Sequence, residues 1–271
     1  MNAVYEKLRA RIDAAHSLLC VGLDPVPESM RPELRSSEHP LFAFCREIID
    51  ATAPYAAAFK PNAAFFESHG AHGFAQLERV TAYLRERCPE AVTICDAKRG
   101  DIGSTSAQYA RAVFDMWGFD AITLHPYTGS EGLQSFLERD DKACIVLCRT
   151  SNPGARELQD LDCGGAPLWQ RVAAKVANHW DRDGNCWLVT GATYPEELRQ
   201  VRTIAPRMPL LVPGIGAQGG DVNAVIAAGL DAEGRGLLLS ASRSIASAKD
   251  PAAAAYALCE EIRAARAGGG A

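Results

Sequence analysis

Short apolar runs rich in β-branched and aliphatic side chains recur along the chain and alternate with longer stretches whose apolar positions repeat every three to four residues. The first pattern predicts buried strands and the second amphipathic helices. Strands are expected at 17–23, 56–59, 92–94, 120–124, 143–148, 186–189, 210–212 and 237–239. Helical sequence is expected over 1–16, 41–53, from just after Asn62 to Arg87, through Ala107, Ala110, Val113 and Phe114, and over 132–139, 168–180, 195–204, 221–228 and 251–265. Strands that alternate with helices in this way argue for parallel βα units. Eight of them is the number that closes a (β/α)8 TIM barrel, with a doubly wound open sheet as the alternative. No shift in composition marks a linker, so residues 1–271 are expected to form one α/β barrel domain. An extra N-terminal helix over 1–16 precedes it, and a frayed tail over 266–271 follows.

Composition narrows the chemistry. Apolar residues make up 48% of the chain and charged residues 23%, which suits a globular protein. A net charge of −5 offers no broad basic surface, so nucleic acid is not an expected partner, although a local basic cluster could still take a small anion. No apolar run approaches the roughly 20 residues that span a bilayer. The N-terminal helix mixes acids and bases and resembles neither a signal nor a transit peptide, so a cytoplasmic location is expected. Nine cysteines, an odd number with no C-x-x-C pair, fit neither a disulfide framework nor a zinc site. Five of them (Cys20, Cys95, Cys144, Cys148 and Cys186) lie in strand-like runs and read as buried thiols.

The third predicted strand breaks into Asp96, Lys98, Arg99 and Asp101, with Gly100 and Gly103 allowing a tight turn. Taken alone, D-x-K-x-x-D reads as a surface turn with incidental ion pairs. Position changes this. Asp24, Lys60, Asp96, Lys98, His125, Ser151, Gly191, Gly214 and Arg243 all fall at or just past predicted strand C-termini, which converge on one face of a barrel where active sites lie. After the seventh strand, Gly214, Gly216 and Gly219 satisfy G-x-G-x-x-G. A dinucleotide fingerprint belongs in a first βα unit, so an anion-binding loop is the better reading, with Arg243 adding a charge-assisted contact. The long loop over 152–167 is expected to act as a lid, whereas the loop over 25–40 suggests no role. His69 and His72 have no third ligand near in sequence and read as a solvated helix start. The four tryptophans read as core or interface.

Four motifs occur in order: Phe59-Lys60-Pro61-Asn62, Asp96-Ala97-Lys98-Arg99-Gly100-Asp101-Ile102-Gly103-Ser104-Thr105, Thr150-Ser151-Asn152-Pro153 and Pro213-Gly214-Ile215-Gly216-Ala217-Gln218-Gly219-Gly220. Together they resemble the orotidine 5′-phosphate decarboxylases, and the spacing and SNPG variant resemble the bacterial subgroup with enlarged loops found for example in mycobacteria. The resemblance implies a carboxy-lyase that converts orotidine 5′-monophosphate to uridine 5′-monophosphate and carbon dioxide, the last step of de novo UMP synthesis. It implies no metal and no organic cofactor, and a homodimer. By the same resemblance Lys98 is the proton donor to C6 of the pyrimidine, and Lys60, Asp96 and Asp101 complete a charged array. Asp101, Ile102 and Thr105 would reach into the partner's site. Asp24 and Lys60 would contact the ribose and Ser151 the pyrimidine. Gln218 would bridge base and phosphate, while Pro213, Gly214, Gly216 and Arg243 hold the phosphate. The nearest enzymatic alternative is a magnesium-dependent sugar-phosphate decarboxylase or aldolase on the same barrel. Relatives of that kind carry a glutamate where this chain has Lys60, and an ammonium there repels a metal. A non-catalytic barrel is disfavoured because idle buried charge costs stability.

Overall fold

In the computed structural model, residues 2–215 and 220–268 are described. Among them eight strands close into a barrel in chain order: β1 (Leu19–Leu23), β2 (Ala56–Pro61), β3 (Val92–Arg99), β4 (Ala121–Leu124), β5 (Ala143–Arg149), β6 (Cys186–Thr190), β7 (Leu210–Pro213) and β8 (Leu237–Ala241). Every neighbouring pair is parallel, and β8 returns to β1 with Leu19 opposite Leu239. The closed barrel therefore replaces the open-sheet alternative. Strands buried on both faces are predominantly apolar, and β1, β4, β6 and β8 are buried along their whole length.

The N-terminal helix, Ala3–Ala15, buries Val4, Leu8, Ile12 and Ala15 along one stripe. Asn2 starts it: its side-chain oxygen accepts from the N–H of Val4 and Tyr5, and its amide donates to the Lys142 carbonyl at 2.9 Å. One side chain thus caps the helix and ties it to the loop before β5. The helix stops where His16 takes a left-handed conformation, and Arg263 donates to the freed carbonyls of Ala15 and His16.

Several elements depart from the expectation. The helical sequence expected between Asn62 and Arg87 forms two helices, Ala64–Glu67 and Gly70–Arg87. Gly70 turns the chain with a φ of +58°, and at Gly73 a Cβ would strike the Phe66 carbonyl, so the second helix packs against the first too closely for a larger residue. The helix expected at 132 begins at Gly129. The last helix, Pro251–Gly268, includes 266–268, which were expected to fray; 269–271 lie outside the described residues. The two long loops carry short helical turns, Pro27–Ser29 and Pro32–Arg35 in one, Pro153–Ala155 and Arg156–Gln159 in the other. The five strand cysteines are buried, and burial pushes the Cys20 and Cys148 thiols up to about 12. Trp169 and Trp187 are buried core residues. No helix among the described residues is long and apolar enough to cross a membrane.

Candidate active site

Strand β3 does not end where its apolar run ends. It continues through the charged residues to Arg99, so Asp96 and Lys98 are strand residues rather than part of a turn. Lys60, on the neighbouring strand β2, donates to Asp96 Oδ2 at 2.6 Å, while Lys98 Nζ lies 2.5 Å from Oδ1. The carboxylate is thus held between two ammonium groups. Asn62 bridges to Asp96 by backbone pairing, and Ala63 N donates to the Asp96 carbonyl, which fixes β2 against β3 here.

The two lysines differ in their surroundings. The Lys60 side chain is 7% exposed and that of Lys98 50%. Burial alone would lower the Lys60 pKa, but the carboxylates of Asp96 and then Asp24 more than offset it, and Lys60 stays cationic beyond the ordinary lysine range. Burial likewise pushes the Asp96 carboxyl up, and Lys60 and Lys98 together carry it well below the usual carboxylate range. Lys98 has a φ of +47°, the left-handed region that residues with a side chain enter at a cost in strain.

Asp24 lies just past β1. Its Oδ2 accepts from Ser242 Oγ at 2.6 Å, and its Oδ1 is buried with no partner among the described residues. At Gly22 a Cβ would collide with Ser242, so the glycine lets Ser242 come close enough for that bond. Asp24 and Arg243, the latter exposed at the start of the short helix Arg243–Ala246, line one cavity of about 570 Å³. Ser151 follows β5, and the close approach of Gly191, at the end of β6, leaves no room for a Cβ between them. Pro213 ends β7 and Gly214 follows with a φ of +104°. Gly216 and Gln218 lie outside the described residues. The loop after β5 is pinned at its base. Thr150 N donates to Gln159 Oε1, Gln159 Nε2 donates to Thr150 Oγ1, and the buried Arg149 stacks over Tyr194 at 4.0 Å while reaching Asp160 at 3.4 Å.

Not every expected neighbour is brought in by one chain. The Asp101 carboxylate accepts from its own Ile102 N–H at 2.7 Å, and among the described residues no ion pair joins it to Lys98. Ile102 is 64% exposed and Thr105 is exposed. His125 contacts the Gly100 carbonyl through Nε2 at 2.8 Å. Two residues escaped the sequence reading. Ser242 is one. The other is Thr123 on β4, whose hydroxyl donates to Asp96 Oδ1 at 2.9 Å. A β-branched residue inside an apolar run carries the signal of a strand and nothing more.

Residues 17–258 match the orotidine 5′-phosphate decarboxylase / HUMPS family. The chain belongs to this family. Within it, the orotidine 5′-phosphate decarboxylase of Janthinobacterium sp. (strain Marseille) is 50% identical over 244 residues, covering 90% of this chain and 89% of that protein. The solved structure of Leishmania donovani OMP decarboxylase is 43% identical and superposes with a TM-score of 0.88, over 98% of this chain and 99% of the other. That of Leishmania donovani UMP synthase is 45% identical with a TM-score of 0.90. It is longer, and this chain spans 57% of it. The orotidine 5′-phosphate decarboxylase / HUMPS membership covers all eight strands and both lysines that grip Asp96.

Proposed function

We propose that the chain is a cofactor-independent carboxy-lyase that converts orotidine 5′-monophosphate to uridine 5′-monophosphate and carbon dioxide, the last step of de novo UMP synthesis. The observation that carries this reading is the Lys60–Asp96–Lys98 unit: one buried carboxylate held by a buried and a half-exposed ammonium at the strand ends. Loss of carbon dioxide from C6 of the pyrimidine leaves an electron pair in the ring plane, where the π system cannot take it up. Fixed positive charge close to C6 is then the main available stabilisation. The Lys98 ammonium supplies that charge and then delivers a proton to C6. Asp96 and Lys60 hold it in place, so little reorganisation is needed as the carboxylate departs. A carboxylate next to that of the substrate also raises the ground state.

The other roles follow the same reading. Asp24 Oδ1, a buried acceptor with a free lone pair, takes a ribose hydroxyl together with Lys60. Ser151 reads the pyrimidine. Pro213, Gly214, Gly216, Gln218 and Arg243 hold the phosphate, with Gln218 reaching to the base. Binding there, remote from C6, drives closure of the loop over 152–167 and positions the base. The enzyme works as a homodimer in the cytoplasm, where free thiols such as these persist. Asp101, Ile102 and Thr105 enter the partner's site. The exposed Ile102 and Tyr127, the latter 89% exposed, support such an interface, as does an Asp101 that engages the following backbone N–H rather than Lys98.

Incubation with orotidine 5′-monophosphate after exhaustive chelation, followed by chromatography, tests the reading. Conversion to uridine 5′-monophosphate at an unchanged rate is expected. No conversion, or conversion restored by magnesium, would sink it.

A further inference from the structure

Strand β4 meets the reacting part of β3 with a residue that carries no charge. The β3–β4 ladder pairs Cys95 with Ile122 and Arg99 with Leu124, so β3 advances four residues where β4 advances two. Residues 96–98 therefore bulge, and a bulge takes backbone amides away from their ladder partners. Amides so released need another acceptor, from water or from a side chain.

The β4 residue opposite the bulge is Thr123, which is 1% exposed. Its Oγ1 accepts from Ala97 N at 3.0 Å and from Lys98 N at 2.9 Å, and donates to Asp96 Oδ1 at 2.9 Å. A hydroxyl has one proton and two lone pairs, and here all three are used. The same oxygen therefore fastens three consecutive residues: the Asp96 carboxylate and the backbone of the two that follow. Lys98, the last of them, is the residue in the left-handed conformation, and its Nζ pairs with the very carboxylate oxygen that Thr123 holds. A strained conformation persists only where its surroundings over-determine it. The Lys98 amide donates to this same hydroxyl. The β-branch adds stiffness, since the second substituent on Cβ restricts χ1 and so fixes where Oγ1 points.

We propose that Thr123 is a positioning residue for Lys98: its hydroxyl locks the β3 bulge with Lys98 in the left-handed conformation that aims the ammonium, and orients the Asp96 carboxylate that receives it. The proposal rests on the decarboxylase reading for its kinetic consequence but not for its structural one. Valine at this position keeps the shape and the β-branch while removing the proton and both lone pairs. Serine keeps the polar atoms and loses only the methyl.

The test compares Thr123→Val and Thr123→Ser with the wild-type chain. Thr123→Val is expected to lower kcat on orotidine 5′-monophosphate by about 100-fold, the scale of an ångström of misplacement, with KM within about threefold. Thr123→Ser is expected to recover kcat to within about fivefold of wild type. An unchanged kcat in Thr123→Val, or an equal loss in both variants, would overturn the proposal. Two readouts do not depend on turnover, so they decide the positioning role even if the wild-type chain fails to convert the nucleotide. In a crystal structure of Thr123→Val, Lys98 should leave the left-handed region and its Nζ should part from Asp96; an unmoved Lys98 would overturn the proposal. In the wild-type chain, the Ala97 and Lys98 amides should exchange slowly with solvent deuterium. Exchange as fast as in a frayed terminus would overturn it as well, with no variant involved.

Discussion

Lys60 and Lys98 grip the same carboxylate, yet removing them should have different consequences for stability. Lys98 is half exposed, so its attraction to Asp96 is screened by water. Pairs of that kind contribute about 0.2–1 kcal/mol. Lys98→Ala should therefore lower Tm by no more than about 2–4 °C, the shift that 1 kcal/mol produces in a chain near this size. Lys60 is 7% exposed, and its removal leaves Asp96 buried with a screened partner. Breaking a buried pair costs about 3–5 kcal/mol, which corresponds to roughly 6–20 °C for Lys60→Met. Turnover should fall by at least about 100-fold in both variants, since one loses the proposed proton donor and the other the group that fixes its partner. Thermal melting at neutral pH and matched protein concentration, alongside nucleotide conversion by chromatography, measures both effects. A Lys98→Ala chain that melts as low as Lys60→Met, or a Lys60→Met chain that melts with the wild type, would refute the reasoning.

Two further outcomes follow from the same geometry. If Asp101 serves the partner's site, inactive Lys98→Ala and Asp101→Ala chains mixed in equal amounts should recover about a quarter of wild-type activity. Half of the twofold dimers are then mixed, and each mixed dimer holds one intact site; no recovery under proven subunit exchange would count against a shared site. The Asp96 carboxyl titrates lower in the folded chain than in the unfolded one, so it contributes stability above about pH 4 that is lost as pH falls towards its folded pKa. Asp96→Asn should accordingly flatten the fall of Tm between about pH 5 and pH 3, and an unaltered slope would contradict the ionised, doubly paired Asp96.

The barrel was legible in the sequence because buried parallel strands must be apolar along their length, and runs such as Ala143–Arg149 and Leu237–Ala241 are interrupted by little else. The lysine–aspartate–lysine cluster was legible because charges that follow an apolar strand in a barrel have one place to go. What was not legible depends on geometry that no local pattern encodes. The continuation of β3 through Asp96 and Lys98 is hidden, since charged residues read as the end of a strand and only pairing with β4 shows otherwise. Thr123 and Ser242 are invisible for a related reason: each is an ordinary small residue whose importance comes from a partner 27 or 218 positions away. The split before Gly70 was missed because apolar periodicity runs across it, and a single glycine can end a helix or sit inside one.

The central claim is that an ammonium at the end of β3 stands beside the carbon that loses carbon dioxide, and a crystal structure with uridine 5′-monophosphate bound tests it most directly. The account predicts Lys98 Nζ within about 3.5 Å of C6, still paired with Asp96, with Asp101 of the partner subunit on its other side. A nucleotide seated elsewhere, or a Lys98 side chain turned away from the pyrimidine, would contradict it.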